Sequence, residues 1–366
     1  MMDTVKDVYS CIEEFAPLSF QESWDNCGLL VGNPEQVVSK VLLTVDVSEA
    51  VVAEAVEVEA QMIVCHHPLM TAGIRQLTGK TDAHRAIALA IKNDIAIYAA
   101  HTNIDSAPGG VSYRFAEKLG LINLQSLSPQ SAGLQKLVTF IPATHFEQVR
   151  QALFEAGAGH IGNYDLCGYS VEGKGTFRAM DDTNPFLGRH GTLHTESEIR
   201  FETVFPTHLN RRIIAALVNS HPYEEPAFDI YTLHNTDMRT GLGVVGFLST
   251  PVGELDFLKK LKQNFSPPYI RHTNLKGRKI HKVALCGGSG SSLLANAIAG
   301  NADAYVTGDF KYHQFAEAEH DILVADIGHF ESEHFVKEIF FEILMKKNTN
   351  FAAYFSKVKT NPINYF

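Results

Sequence analysis

Three short segments carry side chains able to grip a metal ion. Val64–Pro68 reads VCHHP, His101–Asp105 reads HTNID, and Asp326–His334 reads DIGHFESEH. Neutral imidazole nitrogen is the commonest metal ligand. The adjacent rings of His66 and His67, placed at a strand end, can diverge and serve two neighbouring ions; a solvated loop pair is the plainer reading. Asp105 lies in a turn marked by Asn103 and Pro108-Gly109-Gly110, where a cap or turn role is also open to it. His329 and Glu333 stand at i and i+4, one turn apart on one helix face. That is chelate spacing, although ordinary solvated faces show it too. Three imidazoles and two carboxylates, with no thiolate, suit zinc, manganese or iron. A catalytic zinc normally takes three protein ligands. The set His66, His67, Asp105, His329 and Glu333 therefore points to two divalent ions at roughly 3.5–4 Å separation, with Asp105 or Glu333 as the bridge. His101 is a sixth candidate, either a ligand itself or a group that orients one.

Other segments offer groups that a substrate would need. WDNCGLLVG (Trp24–Gly32) holds the only Trp, beside Asp25 and Asn26. These three residues suit an aromatic wall with polar groups for a planar substrate, or a core Trp followed by a turn. CGGSG (Cys286–Gly290) joins a strand to a helix. Its amides at Gly287, Gly288 and Gly290 could hold an anion, or the segment is a plain tight turn. TGDFKYH (Thr307–His313) offers Asp309 and His313 as general acid or base, with an N-cap as the alternative for Asp309. Of the 17 histidines, the others, such as His84, His145 and His320, have no ligand-like context. Cys65 reads as a small buried hydrophobe.

The elements that must position these groups alternate. Val5–Phe15 has helical spacing, and Lys40–Val47 is a buried-strand pattern followed by a helix that Ser48 caps. Met62–His67 is a strand, Ala83–Lys92 a helix, Ile95–Ala100 a strand and Gly109–Leu119 a helix. The end of the chain repeats this, with strands at Lys282–Cys286 and Asp321–Gly328 and helices at Ser291–Ala299 and His329–Met345. Continuously apolar strands separated by helices predict an α/β fold with a parallel or mixed sheet covered on both sides. Open sheets of this kind place ligands at the carboxyl ends of their strands. The metal candidates in both halves fall at such ends, so residues 1–125 and 235–366 form one layered α/β domain. Residues 126–234 follow the order strand, helix, strand, strand, helix, strand. That order predicts an inserted α+β ferredoxin-like domain, with Asp181–Thr195 as a loop.

Composition narrows the functional classes. The 366-residue chain is 45% apolar and carries a net charge of −10, which disfavours nucleic acid as a partner. The first residues lack the basic start and apolar core of a signal peptide, and no apolar run approaches a membrane span. Five scattered cysteines form no CxxC pair. A reducing cytoplasm is expected, with neither a disulfide framework nor a thiolate zinc site.

WDNCGLLVG, CHHP, HTNID, CGGSG, ADAYVTGDFKYH, DIGHFESE and the NPINYF tail, in this order, resemble the Nif-three-like family, also called GTP cyclohydrolase 1 type 2 homologues. The resemblance covers nearly all of the chain outside residues 126–234. HPYEEPAFDIY (His221–Tyr231) makes the insertion similar to the PII/CutA-like domain of longer bacterial members. The resemblance implies a two-metal site on His66, His67, Asp105, His329 and Glu333, and a ring-shaped homohexamer with these sites facing an internal cavity. The leading expectation is a metal-dependent hydrolase acting on a nucleotide or related heterocycle. In cyclohydrolase chemistry hydroxide attacks C8 of the purine, the ring opens and formate leaves. The same metal pair would also serve a phosphoesterase. A non-enzymatic metal-binding regulator or interaction platform is the third reading.

Overall fold

The computed structural model describes residues 2–71, 73–130, 133–162, 164–318, 321–346 and 350–366; His320 lies outside them. The chain begins α1 (Val5–Phe15), β1 (Gly28–Val31), β2 (Lys40–Thr44), α2 (Glu49–Glu57), β3 (Met62–Cys65), α3 (Asp82–Lys92), β4 (Ala96–Ala99), α4 (Thr102–Ser106), α5 (Val111–Leu119) and β5 (Leu121–Pro129). It continues with β6 (Leu134–Pro142), α6 (Phe146–Glu155), β7 (Gly168–Phe177), β8 (His194–Pro206), α7 (Asn210–Ser220) and β9 (Phe228–Thr232). The last part is β10 (Gly241–Gly253), α8 (Glu254–Phe265), β11 (Arg271–His272), β12 (Lys279–Ser289), α9 (Leu294–Ala299), β13 (Ala304–Gly308), α10 (Tyr312–Ala318), β14 (Leu323–Asp326), α11 (His329–Glu333), α12 (Val336–Met345) and β15 (Ala352–Phe355).

Two compact units result, one of residues 1–129 with 238–366 and one of residues 130–237. The first holds two sheets. A five-stranded sheet has the order β1-β4-β3-β2-β15 and a six-stranded sheet the order β11-β14-β13-β12-β10-β5. The strands β15, β2, β3 and β4 run parallel, as do β12, β13 and β14. Side chains along a strand point alternately to opposite faces, and here both faces are dry. Met62 and Val64 enter a central core, whereas Ile63 and Cys65 enter an outer one under α2 and α3. In the second sheet Val283 and Leu285 enter the same central core, and Ala284 and Cys286 pack outward with α9. Helices α1, α5, α8 and α12 contribute to the central core between the sheets. Burial on both faces explains why the strands read as unbroken apolar runs. Local signals agree: the Ser48 hydroxyl accepts the Val51 amide at the start of α2, at 3.3 Å.

Two expectations need correction. The boundary at residue 125 cuts β5, because that strand pairs with β10 as far as Pro129 opposite Gly241. The helix expected over His329–Met345 is two helices. Its middle tightens, with the Glu338 amide donating to the Phe335 carbonyl at 2.9 Å, an i to i+3 contact. Phe335 is thereby buried against Phe115 and Phe265.

In the second unit, four antiparallel strands are ordered β7-β8-β6-β9. Leu137, Phe201, Phe205, Val149, Leu153, Ile213 and Leu217 form its own core between the sheet and helices α6 and α7. All five cysteines are free. Among the described residues, no helix is long and apolar enough to cross a membrane.

The layered core sets the expected cost of disturbing the first unit. Phe340 of α12 is fully buried in the central layer. Phe340→Ala is expected to cost about 3–5 kcal/mol, read as a lowered midpoint in denaturant unfolding.

Candidate metal centre

The parallel register of the first sheet delivers the first group of side chains. Thr44 pairs with Cys65 and Cys65 with Ala99, so Asp46, His67 and His101, each two residues further on, leave adjacent strand ends side by side. The amides of His66 and His67 both donate to the Val45 carbonyl at 3.0 Å. The second sheet delivers Asp309 after β13 and His329 after β14.

Each of the four histidines is held through Nδ1 by an oxygen. His66 Nδ1 lies 2.9 Å from the Ala100 carbonyl, His67 Nδ1 2.7 Å from Asp46, His101 Nδ1 2.9 Å from Asp25, and His329 Nδ1 2.7 Å from Asp309. A carbonyl or carboxylate only accepts, so Nδ1 carries the proton. In the neutral ring this leaves an Nε2 lone pair, the usual arrangement of metal-bound imidazoles.

Three of those Nε2 atoms, from His66, His67 and His329, converge on Glu333, which is 2% exposed. His67 Nε2 and His329 Nε2 lie 2.9 and 3.0 Å from Glu333 Oε1 and 3.3 Å from each other. His66 Nε2 lies 3.7 Å from Glu333 Oε2 and 3.7 Å from an Asp105 oxygen. Both His66 Nε2 and Glu333 Oε1 are buried without a hydrogen bond of acceptable geometry. Buried acceptors facing one another are costly, and the cost vanishes when a cation sits among them. The residues therefore fit a metal. Among the described residues, two groups have metal-binding proximity, His67-His329-Glu333 and His66-His67-His101.

Electrostatics agree with that fit. Burial opposes charge on His67, but the carboxylates of Asp46 and Glu333 outweigh it and push the pKa up to about 10. For His329 burial is likewise outweighed, by Asp309 and Glu333, and the pKa is pushed up to about 11. Burial pushes the Asp105 carboxyl up, against His66 and His101. Burial would also raise Glu333, yet its histidine neighbours hold it well below the usual carboxylate range. The pocket favours positive charge.

The remaining expected residues have definite places. Asp25, expected at a substrate, is used internally. Its oxygens accept from His101, from the Thr102 amide at 3.0 Å and from the Thr102 hydroxyl. Asn26 Nδ2 donates to the Met70 carbonyl at 2.7 Å. Trp24 is 64% exposed, and its ring lies edge-on to His101 with centroids 6.1 Å apart, so it is not a core Trp. The anion cradle at CGGSG is corrected. The amides of Gly287, Gly288 and Gly290 donate to the hydroxyls of Ser112, Ser332 and Thr307, and the helix that follows has only six residues. Gly288 instead makes room: its φ is +63°, and a Cβ there would lie 2.5 Å from Glu333 Oε2. Asp309 is bound to His329 and adopts φ +59°, so its place is behind a candidate ligand. His313 is exposed on the first turn of α10, against Tyr312. Asp46 was missed by the sequence reading. An acid just past a buried strand, in TVDVS, was the available signal, but its pairing with His67 needs the strand order.

A layered α/β protein with a histidine–carboxylate cluster at its strand ends is the class that this fold and site define. The family model described as Duf34/NIF3 (NGG1p interacting factor 3) matches residues 3–362, and the chain belongs to that family. It is 39% identical over 363 residues to a Halalkalibacterium halodurans protein named GTP cyclohydrolase 1 type 2 homolog, covering 98% of each chain. A Bacillus subtilis protein of the same name is 35% identical over 369 residues, with 98% of each covered. Among solved structures, a Bacillus cereus protein related to NIF3 superposes with a TM-score of 0.89 at 37% identity, covering 100% of both chains.

Two outcomes test this geometry. Gly288→Ala is expected to displace Glu333 and weaken divalent-ion binding by about 10–100-fold, measured by titration calorimetry, with the far-ultraviolet circular dichroism unchanged. Burial works against the Asp25 carboxylate, but His101 and Thr102 hold its pKa well below the usual range. A depressed carboxylate contributes stability above its unfolded pKa, about 3.9, and loses it as the pH falls. The stability gap between wild type and Asp25→Asn should be full at pH 7 and shrink below about pH 4.

Proposed function

We propose that this chain is a metal-dependent hydrolase that holds two divalent ions and acts on a nucleotide or related heterocycle. The observation that carries the reading is the division of Glu333. One oxygen faces His67 and His329, and the other faces His66. His67, His329 and Glu333 would hold one ion, and His66, Asp105 and Glu333 the other. His101, grouped with His66 and His67, would complete the set. Bound there, zinc, manganese or iron would supply Lewis acidity and acidify water near neutral pH.

The chain's own residues do the rest. Asp46, Asp25 and Asp309 fix the imidazole orientations and keep the protons on Nδ1. The buried position of His66 keeps bulk water from one side. Trp24, exposed beside His101, offers a face on which a planar base can stack. The names of the relatives support GTP as the first substrate to test. The fuller reading is a cytoplasmic, ring-shaped homohexamer, supported by the sequence motifs. Its insertion is read as a ferredoxin-like, PII/CutA-like domain, supported by the strand order β7-β8-β6-β9 with a helix in each of two connections.

Elemental analysis of protein purified without added metal, paired with formate detection on GTP, tests this function. Two ions per chain and formate release are expected. Glu333→Ala should lose both ions and slow formate release by about 100-fold or more. Two ions retained by Glu333→Ala would overturn the ligand set. Equal cleavage of purine and pyrimidine phosphoesters without formate would replace the cyclohydrolase with a phosphoesterase. Metal binding with no turnover of either kind would leave a regulator.

A further inference from the structure

A second site candidate lies wholly within residues 130–237, on the face of the β7-β8-β6-β9 sheet opposite α6 and α7. It is a cavity of about 700 Å³ between the strands and the segments 178–187 and 223–227. Side chains alternate across a sheet. Phe201 and Phe205 of β8 face the helices, so Glu198 and Arg200 face the other way, into the cavity.

Glu198 is the unusual feature. It is only 8% exposed, yet among the described residues its carboxylate has no Lys, Arg or His partner. Its one hydrogen bond comes from the Tyr223 hydroxyl to Oε1, at 2.8 Å. The carboxylate lies directly over the β7 backbone: a Cβ on Gly175 would come within 2.0 Å of Oε2. Glycine at that position is what lets the acid lie flat at the cavity floor. Around it stand aromatic rings. Phe177 and Phe186 have centroids 5.8 and 6.4 Å from that of Tyr223, and Met180 lines the same space. Arg200, which also lines the cavity, is committed to Glu202 at 2.9 Å. Arg178, also among the lining residues, is exposed, and Lys174, paired with Ser197 rather than Glu198, projects from the other face of the sheet.

We propose that this cavity binds a small organic cation, a protonated amine on an apolar or aromatic body, with the ammonium on Glu198 and the body among Phe177, Phe186 and Tyr223. A buried carboxylate without a counter-ion is destabilising, and a charge-assisted hydrogen bond from an ammonium removes that cost. Aromatic faces attract the same charge. A carboxylate-bearing ligand of the same shape would place like charges together on the cavity floor. The inference is independent of the metal centre.

Calorimetric titration of the full-length, metal-loaded chain with phenethylammonium and, separately, with 3-phenylpropionate tests it. Phenethylammonium should bind saturably, with Kd below about 1 mM, and 3-phenylpropionate at least tenfold more weakly. Glu198→Gln should weaken the amine at least tenfold. Phe186→Ala, on the exposed covering segment, should weaken it too and supplies the test if Glu198→Gln fails to fold. Glu333→Gln should leave amine binding unchanged. The proposal is overturned by no saturable amine binding, by equal affinity for the two probes, by unchanged binding in Glu198→Gln, or by loss of binding in Glu333→Gln. The last result would place the amine at the metal centre.

Discussion

A single buried carboxylate organises the first unit. Glu333 sits on a five-residue helix with three imidazoles aimed at its oxygens. Charge in that position is tolerable only with partners whose own hydrogen bonds are complete. That requirement propagates outward. Each imidazole needs an oxygen behind it, which recruits Asp46, Asp309 and the Ala100 carbonyl. The carboxylate needs clearance, which excludes a side chain at residue 288. The helix carrying His329 must stop at Glu333 so that Phe335 can turn into the core.

The two sheets make this convergence rigid. Their inner strands bury side chains on both faces, so neither sheet can slip by one residue without exchanging one core for another. Both faces being apolar, the specification comes from size: Tyr98 and Val64 fill the central layer, while Ala99 and Cys65 face outward. Polar groups are thereby confined to the strand ends, where loops begin and where the histidine–carboxylate set collects. A constellation mounted on strand ends holds its spacing better than one on free loops.

Much of this was legible in residue order. The strand and helix alternation follows from apolar period and from caps such as Ser48, and the HH, HTNID and HFESE segments announce their chemistry by type and spacing. The i, i+4 relation of His329 and Glu333 survives as a 3.0 Å contact. What was not legible depends on lateral neighbours. Asp46 meets His67 because β2 lies beside β3, and Asp25 meets His101 across 76 positions of sequence. No local pattern distinguishes an acid that orients a ring from one that meets a substrate. The glycines of CGGSG mislead for a related reason: glycine signals either a backbone offered to a ligand or space cleared for a neighbour, and only the neighbour decides.

The insertion joins the first unit at a point with unusual topology. Pro129 and Gly241 are paired residues of adjacent antiparallel strands, and Gln135 and Thr232 are paired in the insertion's own sheet. The chain thus leaves and re-enters each sheet at neighbouring positions, like the stem of a hairpin whose loop has become a folded body. Loop length costs closure entropy only logarithmically, and a folded body with adjacent ends costs less than a flexible loop of equal length. Gain or loss of this unit amounts to exchanging one hairpin turn for another. A chain without this unit would therefore keep the same strand register and the same buried carboxylate.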